Sequence, residues 1–391
     1  MNRFLGILFF AALLVSAVSA QNDTALFELA GAAGQYYEVL SDGGKADAET
    51  LVRELELRFD VYNRLFRFDP SLISAPLKVR AYRDREAYDN YVSARLGRPR
   101  EGAVYLHYSQ GDRRELVLHR GSGGEETIFP HQAFIQFLRA FIPYPPAWMR
   151  EGFAIYFTTL GFNRETGELT YEENLAWLET VKHLAQESLV LDRVFFADRG
   201  APPEHFQPLS WSVISFFLNS GQGTYFRTLT ESFRVLSPSA TAAENSEAVM
   251  GYISRWTDPE TMQKDYETYL MSQKTFAELI DEGQKAYAAK DTVTAELSFY
   301  SALDQKPAHY VPYYYLGLLA YEEQNYDMAE QYYRSALQYG ADAALVYYAL
   351  GLNAAAAGRG GDAAGFLEQA AAASPERYKN RVQDLINRLR N

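Results

Sequence analysis

His131 and Glu151, twenty residues apart, are the two side chains whose setting most suggests chemistry. An imidazole and a carboxylate held together can share a metal ion or pass a proton. Each lies in a stretch with helical hydrophobic spacing, and a proline-rich turn at 143–146 separates the two. The chain offers little else of this kind. It has no cysteine, which removes disulfides, thiolate zinc sites and cysteine nucleophiles, and with only six histidines any metal site must be built from His, Asp or Glu. Gly121-Ser122-Gly123-Gly124 follows a strand-like stretch but lacks the Lys-Ser/Thr pair of a phosphate-binding loop. His119, ending that stretch, reads as a surface or capping residue rather than a ligand.

The elements that must position these residues follow from periodicity. Residues 35–40 are short and β-prone, 46–66 have helical spacing, 76–82 read as a strand and 84–94 return to helix. Strand-like runs at 104–108 and 115–119 flank a turn at Gln110-Gly111-Asp112. From Glu125 the pattern is almost wholly helical, with breaks at 143–146, 161–167 and 200–203. This predicts an α+β domain over 21–274 with its strands gathered in the first half.

The composition bounds the function. Against 37 Lys+Arg stand 50 Asp+Glu, a net charge of -13, with 48% hydrophobic residues in 391. That describes an acidic globular protein and argues against a nucleic-acid partner. Residues 1–20 combine Arg3, an apolar run over 4–18 and small residues ending at Ala20, the pattern of a secretory signal peptide cleaved before Gln21. The apolar run is shorter than the roughly 20 residues needed to span a bilayer, and no later segment is long enough. The expectation is a periplasmic or secreted protein with no transmembrane segment after cleavage and, lacking a lipobox cysteine, no lipid anchor.

Downstream of 274 the chain repeats itself. Gly283, Gly317 and Gly351 are 34 residues apart, as are Ala295, Ala329 and Ala363, and Ala302, Ala336 and Ala370. Small residues at fixed offsets suit paired antiparallel helices that cross closely, with bulky Phe299, Tyr333 and Leu367 between them. This pattern resembles the tetratricopeptide repeat (TPR), in three copies at 276–309, 310–343 and 344–377, with a capping helix over 378–391. The second copy departs from it at Ala320 and Ala341, where an aromatic and a proline are usual. The resemblance implies an all-α solenoid whose inner face carries Ile280, Tyr287, Val311, Tyr314, Leu318, Tyr321, Leu345 and Tyr348. An apolar, tyrosine-rich face suits a protein or peptide partner, unless the upstream domain covers it.

Within 146–157, the residues Pro146, Trp148, Glu151, Gly152, Ala154, Tyr156 and Phe157 fall in register with the P-x-W-x-x-E-G-x-A-x-Y-F segment of the peptidase MA-like zincins. The similarity extends loosely over about 35–271 and sets Leu116-Val117-Leu118 where a strand would border the substrate cleft. In that family the glutamate is the third zinc ligand and an H-E-x-x-H helix lies about twenty residues before it. Here that helix reads His131-Gln132-Ala133-Phe134-Ile135. H-E-x-x-H places two imidazoles on one helix face to bind zinc, while the glutamate takes a proton from the metal-bound water. Ile135 removes a ligand, and the amide of Gln132 cannot accept the proton. His131 and Glu151 remain, and two ligands rarely hold zinc. Glu151 then reads as a structural carboxylate held by a nearby Arg or by the Gln132 amide, and His131 as a hydrogen-bonded helix residue or a relic of the site.

The reading that joins these observations is a degenerate zincin-like domain followed by a TPR solenoid. It has no catalytic residue and no cofactor, and serves as an exported scaffold for protein or peptide binding. The alternative is an active envelope metallohydrolase with an atypical zinc site.

Overall fold

The computed structural model describes residues 29–121, 127–163, 165–171, 173, 175, 177–186 and 190–390. The expected leader at 1–20 and the glycine-rich stretch at 122–124 lie outside them. The chain forms two compact units, one of Met1–Asn174 with Leu189–Tyr266 and one of Leu175–Ser188 with Glu267–Asn391.

The first unit opens with an α/β region built on a mixed five-stranded sheet. Its strands are β1 (Ala30–Ala33), β2 (Tyr37–Ser41), β3 (Leu77–Tyr82), β4 (Ala103–Leu106) and β5 (Glu115–His119), in the order β1-β2-β3-β5-β4. β2, β3 and β5 run parallel, and β1 and β4 close the two edges antiparallel. Parallel neighbours need a crossover. Helix α1 (Lys45–Phe66) supplies one, burying Leu51, Leu55, Phe59, Tyr62 and Phe66 along one face. The other includes α2 (Arg85–Leu96), which starts where the Asp84 carboxylate accepts the Ala87 N–H at 2.7 Å and stops at Gly97 with φ 72°. Two sequence expectations change here. β1, all alanine and glycine, carries no β-forming signal and was not anticipated. β5, expected to border the substrate cleft, is an inner strand with Leu116, Val117 and Leu118 fully buried, and β4 lies outside it at that edge of the sheet.

Helices follow: α3 (Ile128–Phe141) and α4 (Ala147–Tyr156) come first, and a small hairpin of β6 (Leu160–Phe162) and β7 (Leu169–Tyr171) forms where only a break was expected. Next come α5 (Leu178–Gln186), α6 (Leu191–Phe195), α7 (Phe206–Asn219), α8 (Gly223–Ser232), α9 (Ala242–Ile253) and α10 (Pro259–Ser272). An aromatic core ties α1 to α3 and α4, with ring centroids 5.1 Å apart for Phe59 and Phe137, 5.2 Å for Tyr62 and Phe134, and 4.9 Å for Phe66 and Phe153. Burying each such side chain stabilises by about 1.5–3 kcal/mol, enough to set which faces of α3 and α4 turn inward.

The second unit is a run of helices in packed pairs, the arrangement of a helical solenoid. The pairs are α11 (Phe276–Ala288) with α12 (Thr292–Gln305), α13 (Tyr310–Glu322) with α14 (Tyr326–Gln338), and α15 (Ala343–Ala356) with α16 (Gly360–Ala373), closed by α17 (Pro375–Arg390). At each crossing a glycine meets a bulky side chain: a Cβ on Gly283, Gly317 or Gly351 would stand 2.7, 2.5 or 2.7 Å from Phe299, Tyr333 or Leu367. The 34-residue spacing of these glycines is therefore a packing requirement. α5 belongs to this unit, where Lys182 Nζ pairs with Glu278 at 2.7 Å and donates to the Gln273 carbonyl at 2.8 Å. No described helix is long and apolar enough to cross a membrane.

Candidate functional site

Two helices place His131 and Glu151. Phe134, Phe137 and Phe141 pull one side of α3 into the core, leaving His131, Ile135 and Arg139, four residues apart, as a row along another side. α4 is anchored by Trp148, fully buried with its ring 5.1 Å from that of Phe195, and its first free N–H, on Ala147, donates to Asp198 at 2.9 Å. Gly152 lets α7 come close: a Cβ there would lie 2.4 Å from the Ser210 carbonyl oxygen and 2.6 Å from Ile214. The tryptophan and glycine of the 146–157 segment thus fix the helix that carries Glu151.

The two residues meet. His131 Nε2 lies 3.5 Å from Glu151 Oε2, Arg150 Nε donates to Oε1 at 2.9 Å, and Gln207 reaches Oε2 at 3.4 Å. Burial alone would raise the Glu151 pKa. The hydrogen bond from His131 and the Arg150 charge outweigh it and hold the carboxyl at about 2, so it is ionised at neutral pH.

Gln132 does not hold Glu151, against one sequence reading. Its side-chain oxygen accepts the backbone N–H of Tyr105 on edge strand β4 at 3.0 Å. One turn on, Gln136 donates to the Lys78 carbonyl of β3 at 2.9 Å, so the glutamine side of α3 faces the sheet. Ile135 is buried and supplies an alkyl group one turn from His131. Of the four positions expected to correspond to a zinc site, two carry groups able to ligate zinc, and the Glu151 carboxylate is already occupied by a guanidinium. The residues present do not fit a zinc ion. Among the described residues no three His, Asp or Glu converge in a way that would hold a metal. His119 packs instead on Tyr88, ring centroids 5.6 Å apart.

Two neighbours went unnoticed in the sequence. His107, just past β4, has rings of Tyr105 and Tyr144 at 5.8 and 6.1 Å. Burial, then the charges of Arg139, Arg114 and Arg150, lower its pKa to about 4, so it is neutral. Arg139 is pulled below its ordinary value by burial and by Arg150, against the opposing influence of Tyr105, Glu151 and Tyr144. Only the four-residue spacing of Arg139 from Ile135 could have flagged it. His107 gave no signal, because it follows a short strand.

The eight residues assigned to the solenoid's inner face lie on α11, α13 and α15, and all are half-buried rather than open. Ile280 and Tyr287 pack against a cluster around Phe299, and Tyr314, Leu318 and Tyr321 against one around Tyr333. Tyr348 stands 4.8 Å from Tyr378 of α17. Val311 and Leu345 sit in the first turns of α13 and α15, where their N–H groups donate to His309 and Asp342. The more exposed apolar side chains are on α12, where Val293 and Leu297 are 66% and 64% exposed.

Compared with known proteins, the chain matches no family model, and no curated protein matches it.

Proposed function

We propose that this protein is an exported, non-catalytic scaffold for protein or peptide binding, joining a peptidase MA-like zincin frame that has lost its metal chemistry to a TPR-type solenoid. The observation that carries the reading is the state of Glu151. The carboxylate that would be the third zinc ligand is paired with Arg150 at 2.9 Å and His131 at 3.5 Å. The position of the general base is an amide engaged with a backbone N–H. A guanidinium on a ligand carboxylate opposes a divalent cation, and without a base no water is activated. The partner binds along the first helices of the repeats, through Tyr287, Tyr314 and Tyr321 and their apolar neighbours, because aromatic side chains dominate interface energetics. Elemental analysis of protein purified without chelators, alongside peptide hydrolysis assays, tests the reading. The expected result is neither stoichiometric zinc nor hydrolysis; zinc at one equivalent with hydrolysis would make the protein an envelope metallohydrolase.

A further inference from the structure

Away from His131 and Glu151, the first unit carries a groove of about 360 Å³ where the turn between β1 and β2 meets the segment that leads into β3. That volume falls at the lower end of the roughly 300–1,000 Å³ of clefts that hold small ligands. Gln35 and Tyr36 form one wall, and Pro70, Ser71, Ser74 and Pro76 form the other with their alkyl neighbours. None of the residues lining it is charged, in a chain where 22% of all residues are.

Both walls are fixed by the fold. The Tyr36 ring stacks on Phe59 with centroids 3.9 Å apart, its N–H donates to Glu56 at 2.7 Å, and its carbonyl accepts the Leu77 N–H at 2.7 Å. Opposite, Pro70–Leu72 make a single 3-10 turn, capped where the Asp69 carboxylate accepts the Ser71 N–H at 3.0 Å. The polar groups of the groove are neutral, and together they donate and accept. Gln35 Nε2 donates to the Tyr36 hydroxyl at 2.8 Å, which leaves the phenol proton to donate and the Gln35 oxygen to accept. Ser71 and Ser74 add two hydroxyls, that of Ser74 making no hydrogen bond among the described residues.

We propose that this groove binds a neutral sugar, a pyranose that lays its C–H face on the side of Tyr36 that Phe59 does not cover and exchanges hydrogen bonds with Gln35, Ser71 and Ser74. Sugar hydroxyls are uncharged and each both donates and accepts, which matches an amide, a phenol and two hydroxyls. The C–H groups of the sugar ring meet the negative face of the aromatic ring. A charged ligand would find no counter-ion here. A proline-rich peptide offers carbonyl acceptors and docks in grooves lined by several aromatic rings, whereas this groove has one. The inference stands on the groove alone and does not depend on the zincin or repeat readings.

Calorimetry and saturation-transfer NMR on the full chain test it with four probes: glucose, cellobiose, N,N′-diacetylchitobiose and decaproline. Binding of at least one sugar is expected, with saturation passing most strongly to its ring C–H protons. Equal affinity for glucose and cellobiose would point to a free sugar as the source, and tighter binding of either disaccharide to a glycan chain. The double variant Gln35→Ala with Ser74→Ala alters two exposed side chains, and it should weaken binding by about tenfold while melting as the wild type does. Tyr36→Leu should weaken binding at least as much; should it melt well below the wild type, the double variant decides. No binding by any of the three sugars, binding of decaproline alone, or undiminished sugar affinity in the double variant would overturn the proposal.

Discussion

The Gln132 side chain and the backbone of Tyr105 are joined across two elements, the Tyr105 N–H donating to the Gln132 oxygen at 3.0 Å. β4 is an edge strand, so some of its N–H groups have no strand to donate to, and the glutamine of α3 takes one of them. Gln132→Leu should leave that donor unsatisfied and cost about 1–3 kcal/mol. Gln132→Glu keeps the acceptor and should unfold at nearly the wild-type urea midpoint. Equal midpoints for wild type and Gln132→Leu would mean the bond does not matter.

Glu151 makes stability depend on pH. Its folded pKa, about 2, lies below the ordinary 4.5. The pairing therefore stabilises fully above about 4.5 and is lost as pH falls through about 2. Since burial opposes the pairing, the contribution at pH 7 is on the order of 3 kcal/mol. Glu151→Gln should be less stable at pH 7 and should lose less stability than wild type on acidification from about pH 5 to 3. Urea unfolding at both pH values measures the difference, and parallel losses in the two proteins would remove the ion-pair account.

In the repeats, Gly317 and Gly365 should respond in opposite directions to alanine. A Cβ on Gly317 would lie 2.5 Å from the ring of Tyr333, itself fully packed, so Gly317→Ala should destabilise by about 1–3 kcal/mol. Gly365, inside α16, has nothing within 4 Å of the added atom, and alanine there should stabilise by about 0.5–1 kcal/mol through helix propensity. Thermal unfolding separates the two. A shift of the same sign in both would mean that crossing distance does not set the glycine spacing.

What was legible in the sequence was whatever is encoded locally. Helix α1 announces itself by its apolar spacing, α2 by the return of helical spacing at Asp84, and the helix pairs by glycines that must recur at every crossing. What was hidden depends on tertiary pairing. β4 and β5 have similar apolar patterns, so nothing local says which is the edge, and Ala-Gly-Ala-Ala becomes β1 only by pairing with β2. The site shows the same division. Trp148, Gly152 and Glu151 share a recognisable segment, and the meeting of Glu151 with His131 followed from it. Arg139 and His107 were missed because an arginine on a helix and a histidine after a strand ordinarily read as solvated.

Tyr348 was expected to be an open anchor, yet its ring lies 4.8 Å from that of Tyr378, within a cluster that includes Val382 and Ile386. Tyr348→Ala should therefore loosen α17 by about 0.5–1.5 kcal/mol beyond the area lost, and hydrogen exchange over 375–390 should quicken while α11–α14 keep their protection. Exchange unchanged over 375–390 would show that α17 is held by α16 alone.

Ile135→His tests whether the row on α3 still has the geometry of a zinc site. Residue 135 lies one turn from His131, which touches Glu151 at 3.5 Å, so a histidine there would add a third donor next to the existing two. The opposing factor is Arg150, which holds the same carboxylate at 2.9 Å. Zinc must displace that guanidinium, so the single variant should bind zinc measurably but weakly, and adding Arg150→Gln should tighten binding by about 10–100-fold, the range over which groups bonded to a ligand tune a metal. Hydrolysis is not expected even with Gln132→Glu, since a base and a metal do not by themselves orient a substrate. Calorimetry on wild type and the variants provides the check. One equivalent of zinc in wild type would overturn the proposed loss of metal chemistry. No gain from Ile135→His, with or without Arg150→Gln, would mean that residue 135 does not point where the resemblance puts a ligand.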